Sequence, residues 1–171
     1  MKIEKIETAR LYLRGFEKED APFAISIWND PEMGEYLADE AMEEVDSVYL
    51  KQIEELGEDE ECCYLIAELK ETSERIGTCS FIPSKDGESY DIAYCVHKSQ
   101  WRKGFATEMI QGMIAHAKAQ GAKKITVCVD KDNVASNAVM RKLGFAVAEE
   151  SAYRKRGTDQ MCEDYKYELR V

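Results

Sequence analysis

The chain has 171 residues, of which 44% are hydrophobic and 33% charged, and its formal net charge is −11. This length predicts a single domain spanning residues 1–171. The acidic balance argues against a nucleic-acid partner, and the absence of any run of about 18 apolar residues excludes a transmembrane helix and a membrane partner. The segment up to Glu7 carries acids and no apolar run, so we expect no secretory signal and a cytoplasmic location.

The six cysteines are interpreted as reduced thiols. Four of them lie in apolar runs, and none forms a Cys-x-x-Cys pair. A disulfide framework is typical of short secreted chains, and a zinc site needs clustered ligands. We therefore expect mostly buried thiols and no metal site.

The first half of the chain predicts a strand and two helices. Alternation over residues 10–14 indicates the strand. Asp20 and Pro22 are typical of the cap and first turn of a helix whose apolar face is Phe23, Ile27 and Trp28. A second helix, ended by Gly57, is predicted from side chains at helical spacing: Val45, Val48, Tyr49, Gln52, Ile53 and Leu56.

The rest of the chain alternates strands with two further helices. Strands are predicted at residues 62–69, 76–82, 90–96 and 124–129, then from 145–148 and at 165–171. Helices are predicted at 106–120 and 133–143, each followed by a glycine. The order indicates a mixed α/β fold with helices on a central sheet.

The most informative segment is residues 101–108, which read Trp-Arg-Lys-Gly-Phe-Ala-Thr-Glu. It joins a predicted strand to a predicted helix, and such a turn directs backbone N–H groups and the positive helix end at one point, which suits a phosphate. Gly104 allows close approach, and Arg102 and Lys103 add charge. The alternative interpretation is a basic pair on a solvated helix start. The segment matches neither the P-loop nor the dinucleotide fingerprint.

A second polar turn begins the helix predicted at residues 133–143. Asn133, Ser136 and Asn137 follow directly after a strand, as the first turn does. Two such units can face one ligand from both sides. Helix capping is the alternative explanation for Asn133 or Ser136.

With both turns in view, the chain resembles the GNAT superfamily of acetyl-coenzyme A-dependent N-acetyltransferases, in particular its RimJ/RimL-like branch. The opening segment 8–14 with residues 19–21, the strand 91–96 with the turn 101–108, and the segments 133–137 and 142–145 carry the resemblance. It departs from the common superfamily motif at Trp101, where Gln or Arg is usual, as is familiar in that branch.

The resemblance implies a GNAT fold: a mostly antiparallel twisted sheet of six to seven strands, splayed at the coenzyme strands and flanked by about four helices. It implies acetyl-coenzyme A as co-substrate and no metal. The coenzyme-binding residues that it implies are Tyr94, Cys95, Val96, Trp101, Arg102, Lys103, Gly104, Phe105, Ala106, Thr107, Asn133 and Asn137.

The resemblance also frames the catalytic candidates. Many relatives place a tyrosine acid where this chain has Met140, so Ser136 becomes the candidate donor to the departing thiolate. Asp91 is the leading candidate base and Glu88 the next, although an ordinary aspartate is a weak base and Asp91 could equally be a surface acid on an edge strand. Cys95 has no evident base partner, so we expect direct transfer without an acyl-enzyme.

Three functions are compatible with these residues. The first is acetylation of a protein N-terminal α-amine, the second acetylation of a small molecule such as a polyamine, aminoglycoside or amino-acid-like amine, and the third coenzyme A binding without catalysis. Residues 35–61 contain twelve acids and one base, Lys51, which favours a cationic acceptor, peptide or small molecule. A solvated helix face is the alternative for most of these acids. A homodimer is a possible assembly.

Overall fold

A computed structural model describes residues 3–171; Met1 and Lys2, which begin the segment discussed above, lie outside the described residues. Within residues 3–171, eight strands form one sheet in the order β1-β2-β3-β4-β5-β6-β8-β7. The strands are β1 (Lys5–Glu7), β2 (Leu11–Gly15), β3 (Cys63–Leu69), β4 (Arg75–Pro83), β5 (Ser89–Val96), β6 (Lys124–Asp130), β7 (Ala146–Arg154) and β8 (Met161–Arg170).

Four α-helices cover the two faces of the sheet in the described part of the chain: α1 (Ala21–Trp28), α2 (Ser47–Glu54), α3 (Phe105–Ala119) and α4 (Val134–Lys142). Helices α3 and α4 pack in the main core, where Met109, Met113 and Met140 are fully buried. Helices α1 and α2 pack on the opposite face around Ile66.

All neighbouring strands are antiparallel except β5 and β6, which are parallel. The β5–β6 register holds for only three pairs and ends at Asp91 and Thr126, although both strands continue. The strands therefore diverge into a wedge, as the resemblance implied. The mixed, mostly antiparallel α/β class is confirmed.

Alternation along β5 sorts its side chains between the two faces. Tyr90, Ile92 and Tyr94 belong to or pack against the main core under α3. Asp91 and Cys95 consequently face the side of α1 and α2. A ligand bound on one face of the sheet can therefore contact only the β5 side chains that lie on that face.

Three observed elements differ from the prediction, and one of them, β8, begins at Met161, four residues before its predicted start. The sheet has one strand more than expected because the three-residue β1 pairs with β2 and has no pattern of its own. Helix α2 is shorter than predicted, and Val45 and Val48 are exposed, while Ile53 alone is buried within the helix. The apolar spacing at its start therefore does not mark a core face.

Asp20 does not cap α1 as predicted. Its fully buried carboxylate makes no capping hydrogen bond to α1 and instead accepts from Glu17 N at 2.8 Å in the short 3-10 turn that precedes the helix. It also accepts hydrogen bonds of 2.6 and 2.9 Å from Arg14 and of 2.7 Å from Arg75. Burial is the largest single influence and opposes its ionisation, but the hydrogen bonds from Arg14 and Glu17 N together with the charges of Arg14 and Arg75 outweigh it and lower the pKa of Asp20. Asp20 thus ties the start of α1 to strands β2 and β4.

No helix in residues 3–171 is long and apolar enough to cross a membrane.

Candidate functional site

The turn between β5 and α3 has a strained backbone. Arg102 has φ 61° and Gly104 has φ 80°. The left-handed region is costly for residues other than glycine, so Arg102 in this conformation marks a backbone held in place by its surroundings.

This turn presents six consecutive backbone N–H groups, from Arg102 to Thr107, that find no acceptor among the described residues. The groups lie at the start of the 15-residue helix α3, where the helix dipole is positive. Where successive residues alternate between right-handed and left-handed backbone conformations, their N–H groups converge on a concavity that binds anions. The turn can therefore bind an anion, and a pyrophosphate contact by Gly104, Phe105, Ala106 and Thr107 stays a prediction.

Arg102 and Lys103 were both predicted to add positive charge at the turn, but only one of these side chains is available to do so. Arg102 is exposed and has no ion partner in residues 3–171. The Lys103 ammonium turns back and donates to Ser99 O at 3.1 Å and Gln100 Oε1 at 2.9 Å, so its charge is not directed at the turn. The Trp101 indole donates to Val96 O at 2.7 Å and fixes the turn against the end of β5.

A hydrogen-bond network that was not predicted from the sequence anchors the turn to the segment just before β2. Glu108 accepts hydrogen bonds of 2.6 Å from the Thr8 hydroxyl, from Arg10 N and from Arg10 Nε. Arg10 also donates to Lys103 O at 3.0 Å and lies 4.2 Å from the centre of the Phe105 ring. Burial opposes ionisation of Glu108, but its bonds to Thr8 and Arg10 lower the pKa. The partners lie about a hundred residues apart, so spacing in sequence gives no signal for them.

The wedge between β5 and β6 exposes backbone groups of β5. His97 N donates to Ile76 O at 2.8 Å, so Cys95, two residues earlier, also directs its backbone toward β4. Tyr94 and Val96 point the other way, into the wedge, where β6 no longer pairs. Of the three predicted residues, Tyr94 and Val96 thus offer backbone contacts to a ligand. Cys95 does not, which corrects that prediction.

The second polar turn begins α4. Asn133 caps the helix by accepting a hydrogen bond from Ser136 N at 3.1 Å, as the capping alternative held, and its Nδ2 has no partner in residues 3–171. Asn137 is buried and donates to Asp130 O at 2.9 Å and Asn133 O at 2.8 Å, while Tyr167 donates to its Oδ1 at 2.7 Å. Its amide is saturated by the protein, so we assign Asn137 a structural role in place of the predicted coenzyme contact.

Two hydroxyl groups form a hydrogen bond at the open end of the wedge between β5 and β6. Tyr94 Oη, from β5, donates to Ser136 Oγ, from α4, at 2.9 Å. Burial raises the pKa of the Tyr94 hydroxyl, so this hydroxyl is protonated before the reaction and can act as a donor. The sequence predicted Ser136 as a proton donor but did not predict its partner. Met140, where many relatives carry tyrosine, is fully buried in the core.

The two candidate bases lie in different places. Asp91 belongs to a strand with neighbours on both sides, so the edge-strand alternative is excluded. It accepts a hydrogen bond from Thr126 Oγ1 at 2.6 Å, and burial raises its pKa, which makes it a stronger base. Glu88 lies in the exposed turn before β5 and pairs with Lys123, away from the wedge.

A cavity of about 910 Å³ opens on the α1 and α2 face of the sheet. Its floor contains Thr78, Ser80, Ala93 and Cys95, and aromatic side chains of Trp28, Tyr49 and Tyr64 line its sides. Volumes of this order are typical of small-molecule sites. Strand β5 thus contributes to the cavity and leads into the anion-binding turn, so two different ligands can bind next to this strand.

The acidic segment contributes little of its charge to this cavity. Of its twelve acids, Asp39, Glu40 and Glu43 line the cavity, and Asp39 is paired with Arg156. Asp46 instead caps α2, and Asp59 accepts backbone hydrogen bonds in the turn before β3. The segment is therefore mostly a solvated surface.

Comparisons with known proteins give the same identification from independent information. A family model described as an acetyltransferase (GNAT) domain matches residues 10–146. The uncharacterized N-acetyltransferase p20 of Bacillus licheniformis is 30% identical over 148 residues, covering 84% of this chain and 83% of the relative.

Two solved structures share the fold at low identity. The acetyl transferase of Salmonella typhimurium that modifies the N-terminal serine of ribosomal protein L7/L12 is 17% identical with a TM-score of 0.79, covering 98% of this chain and 99% of its own. The spermidine N-acetyltransferase of Vibrio cholerae, in complex with CoA and spermine, is 18% identical with a TM-score of 0.81, covering 95% and 96%.

Proposed function

Because this chain belongs to the GNAT acetyltransferase family, and is thus an N-acetyltransferase that uses acetyl-coenzyme A, we propose that it acetylates a primary amine by direct attack within a ternary complex. The observation that carries this proposal is the arrangement around β5. A turn with six N–H groups that have no acceptor in residues 3–171 lies at the end of β5, and a separate cavity lies on the α1 and α2 face of the same strand.

The coenzyme is held, in this proposal, by backbone more than by side chains. The N–H groups of residues 102–107 bind the pyrophosphate, with the exposed Arg102 adding positive charge. Tyr94 pairs with the pantetheine arm through its backbone groups in the wedge, and Asn133 Nδ2 reaches the same arm from α4. Val96 O already accepts from Trp101, so Val96 offers its N–H. Trp101 acts by fixing the turn.

Asp91 is the proposed base for the attacking amine. It lies two residues from Ala93, which forms part of the cavity floor, and on the same face of β5. A bridging water would carry the proton to it. An α-amine has a pKa of about 7.7–8.0 and a lysine-like amine about 10.4, so the first needs less help at neutral pH.

The backbone N–H of Val96 is proposed to stabilise the oxygen on which negative charge develops, because it points into the wedge and Cys95 N–H does not. Ser136 is proposed to donate its proton to the departing sulfur as Tyr94 donates to Ser136 Oγ. The Tyr94 proton is then replaced from solvent, and the transfer leaves one thiol and one amide.

Cys95 is not expected to form an acyl-enzyme. Its side chain is packed against Thr78, and burial raises the pKa of the thiol to about 11, so the nucleophilic thiolate is scarce. We therefore expect Cys95→Ala to keep the rate of thiol release within about threefold of wild type, because no step passes through its sulfur. A complete loss of turnover in a folded Cys95→Ala protein would instead indicate covalent catalysis.

Thiol release from acetyl-coenzyme A, measured against a panel of primary amines, tests the proposed function directly. We expect amine-dependent release above the rate of spontaneous hydrolysis, with mass spectrometry showing the acetylated amine. Tight coenzyme binding without release on any amine would favour the alternative, a coenzyme-binding module that has lost catalysis.

Two finer assignments are also proposals. Similarity to the ribosomal-protein acetyltransferase fold supports placement near the RimJ/RimL-like branch. The six free thiols support a reducing, cytoplasmic location.

A further inference from the structure

The turn between β5 and α3 is held on one side by the side chain of Arg10, which lies just before β2. Arg10 Nη1 donates to Lys103 O at 3.0 Å, and the guanidinium lies 4.2 Å from the centre of the Phe105 ring. A Cβ placed on Gly104 would lie 3.6 Å from Arg10 Nη2. Arg10 therefore lies against three consecutive residues of the turn.

The bond from Arg10 determines the direction of one N–H group. The peptide between Lys103 and Gly104 is trans, and a trans peptide is planar, so the Lys103 oxygen and the Gly104 N–H point in opposite directions. Because the oxygen points to Arg10, the Gly104 N–H points away from Arg10. This N–H is one of the six from residues 102–107 that find no acceptor in the described part of the chain.

The conformation of the turn requires support from outside. Arg102 and Gly104 have φ angles of 61° and 80°, and Lys103 between them has a negative φ. Such alternation makes successive N–H groups converge on an anion. The left-handed region is costly for Arg102, and glycine has access to many other conformations, so the local sequence alone does not favour this arrangement. A bond that fixes the peptide between Lys103 and Gly104 opposes its rotation.

Glu108 holds Arg10 in the position that this bond requires. Its carboxylate accepts from Arg10 N and from Arg10 Nε, each at 2.6 Å, and from the Thr8 hydroxyl at 2.6 Å. The guanidinium is a planar group, so fixing Nε also sets the direction of Nη1. Because Glu108 lies in the first turn of α3, the turn, Arg10 and the start of α3 form a closed ring of contacts.

We propose that Arg10 is a positioning residue for the coenzyme: its bond to Lys103 O directs the Gly104 N–H at the pyrophosphate and so increases coenzyme affinity. This inference rests on the proposed coenzyme site and adds the residue that organises it. Arg10 acts through the backbone of the turn in this account, and it touches neither the reacting atoms nor the acceptor.

Three acetyl donors separate this role from a general structural one. Acetyl-coenzyme A and its 3′-dephospho form carry the pyrophosphate, and acetyl-pantetheine lacks it. Arg10→Met removes the N–H donors and keeps an apolar side chain over Phe105. We expect it to raise the Kd of both coenzyme forms about tenfold in isothermal titration, because a hydrogen bond from a charged group contributes on that order. With the best amine of the panel, kcat at saturating acetyl-coenzyme A and kcat/KM for acetyl-pantetheine should stay within about twofold of wild type.

Glu108→Gln distinguishes position from charge. It leaves Arg10 in the protein and removes a negative charge, so an effect of charge alone would strengthen coenzyme binding. We expect weaker binding instead, because the amide can replace only one of the two carboxylate oxygens that bind Arg10. The double variant should bind no more weakly than Arg10→Met, since residues that act as a unit are not additive.

Lys70→Met is the matched control. Lys70 lies beside Arg10, where its N donates to Arg10 O at 2.9 Å. Its ammonium pairs with Glu7 at 2.6 Å and lies 5.2 Å from the centre of the Tyr12 ring. The variant therefore removes an ion pair and a ring contact at the same edge of the sheet, and it leaves the bond to Lys103 O intact. Its coenzyme Kd should equal that of wild type.

An unchanged Kd in Arg10→Met, tighter binding by Glu108→Gln, or equal losses with acetyl-pantetheine and acetyl-coenzyme A would each overturn the inference. A loss confined to the 3′-phosphorylated coenzyme would also overturn it, because Arg10 would then serve the 3′-phosphate. Wild type that binds coenzyme and releases no thiol with any amine would overturn the proposed acetyl transfer, and the titrations would still decide the role of Arg10.

Discussion

Gly104→Glu is expected to weaken acetyl-coenzyme A binding by about a hundredfold or more, equivalent to ~2.7 kcal/mol. The substitution puts a carboxylate among N–H groups that have no acceptor among the described residues and that we assign to the pyrophosphate. Gly104 also has φ 80°, which a side chain disfavours, although a Cβ there would meet nothing closer than Arg10 Nη2 at 3.6 Å. Isothermal titration with acetyl-coenzyme A gives the affinity directly.

Two controls separate charge from backbone strain in this experiment. Gly121 ends the same helix with φ 85° and nothing within 4 Å of an added Cβ, so Gly121→Glu imposes similar strain far from the turn. We expect it to lose about 1 kcal/mol of unfolding free energy in urea and to bind coenzyme normally. Gly104→Gln keeps the size and removes the charge, and should bind better than Gly104→Glu. Near-normal affinity of Gly104→Glu would contradict the phosphate site.

The fold was largely predictable because its main signals are local. Strands β3 to β6 and helices α3 and α4 follow from apolar alternation, helical spacing and terminal glycines, and their predicted ends lie close to the observed ones. Strand β1 was missed because three residues carry no period. The start of α2 was misjudged because Val45 and Val48 keep helical spacing without facing the core.

The candidate site was predictable only in part, for a related reason. The turn around Gly104 and the polar start of α4 are contiguous in sequence, so they could be found. The bonds from Thr8 and Arg10 to Glu108, the ion pair between Asp39 and Arg156, and the bond between Tyr94 and Ser136 join residues that are 42 to 117 positions apart. The fold determines which of these residues become partners, and their spacing in the sequence does not indicate it.

Ser136→Ala is the second large effect that we expect. It should lower the single-turnover rate of acetyl transfer by about a hundredfold, because a positioned proton donor contributes on that order. Coenzyme affinity should change little, since the proposed binding contacts near α4 come from Asn133 and from backbone. Rapid-quench measurement of the first turnover is needed because product release can hide a slower chemical step in kcat.

Tyr94→Phe tests whether the hydrogen bond across the wedge belongs to the same step. It removes the 2.9 Å donor to Ser136 and leaves the Tyr94 backbone in the wedge intact. If the two hydroxyls act as one relay, the double variant should be no slower than Ser136→Ala alone, because effects of residues acting as a unit do not add. Ser151→Ala removes a serine hydroxyl that binds Asp164 on the outer hairpin and should leave the rate unchanged. An undiminished first turnover in Ser136→Ala would remove this hydroxyl from the chemistry and leave the departing sulfur to be protonated by water.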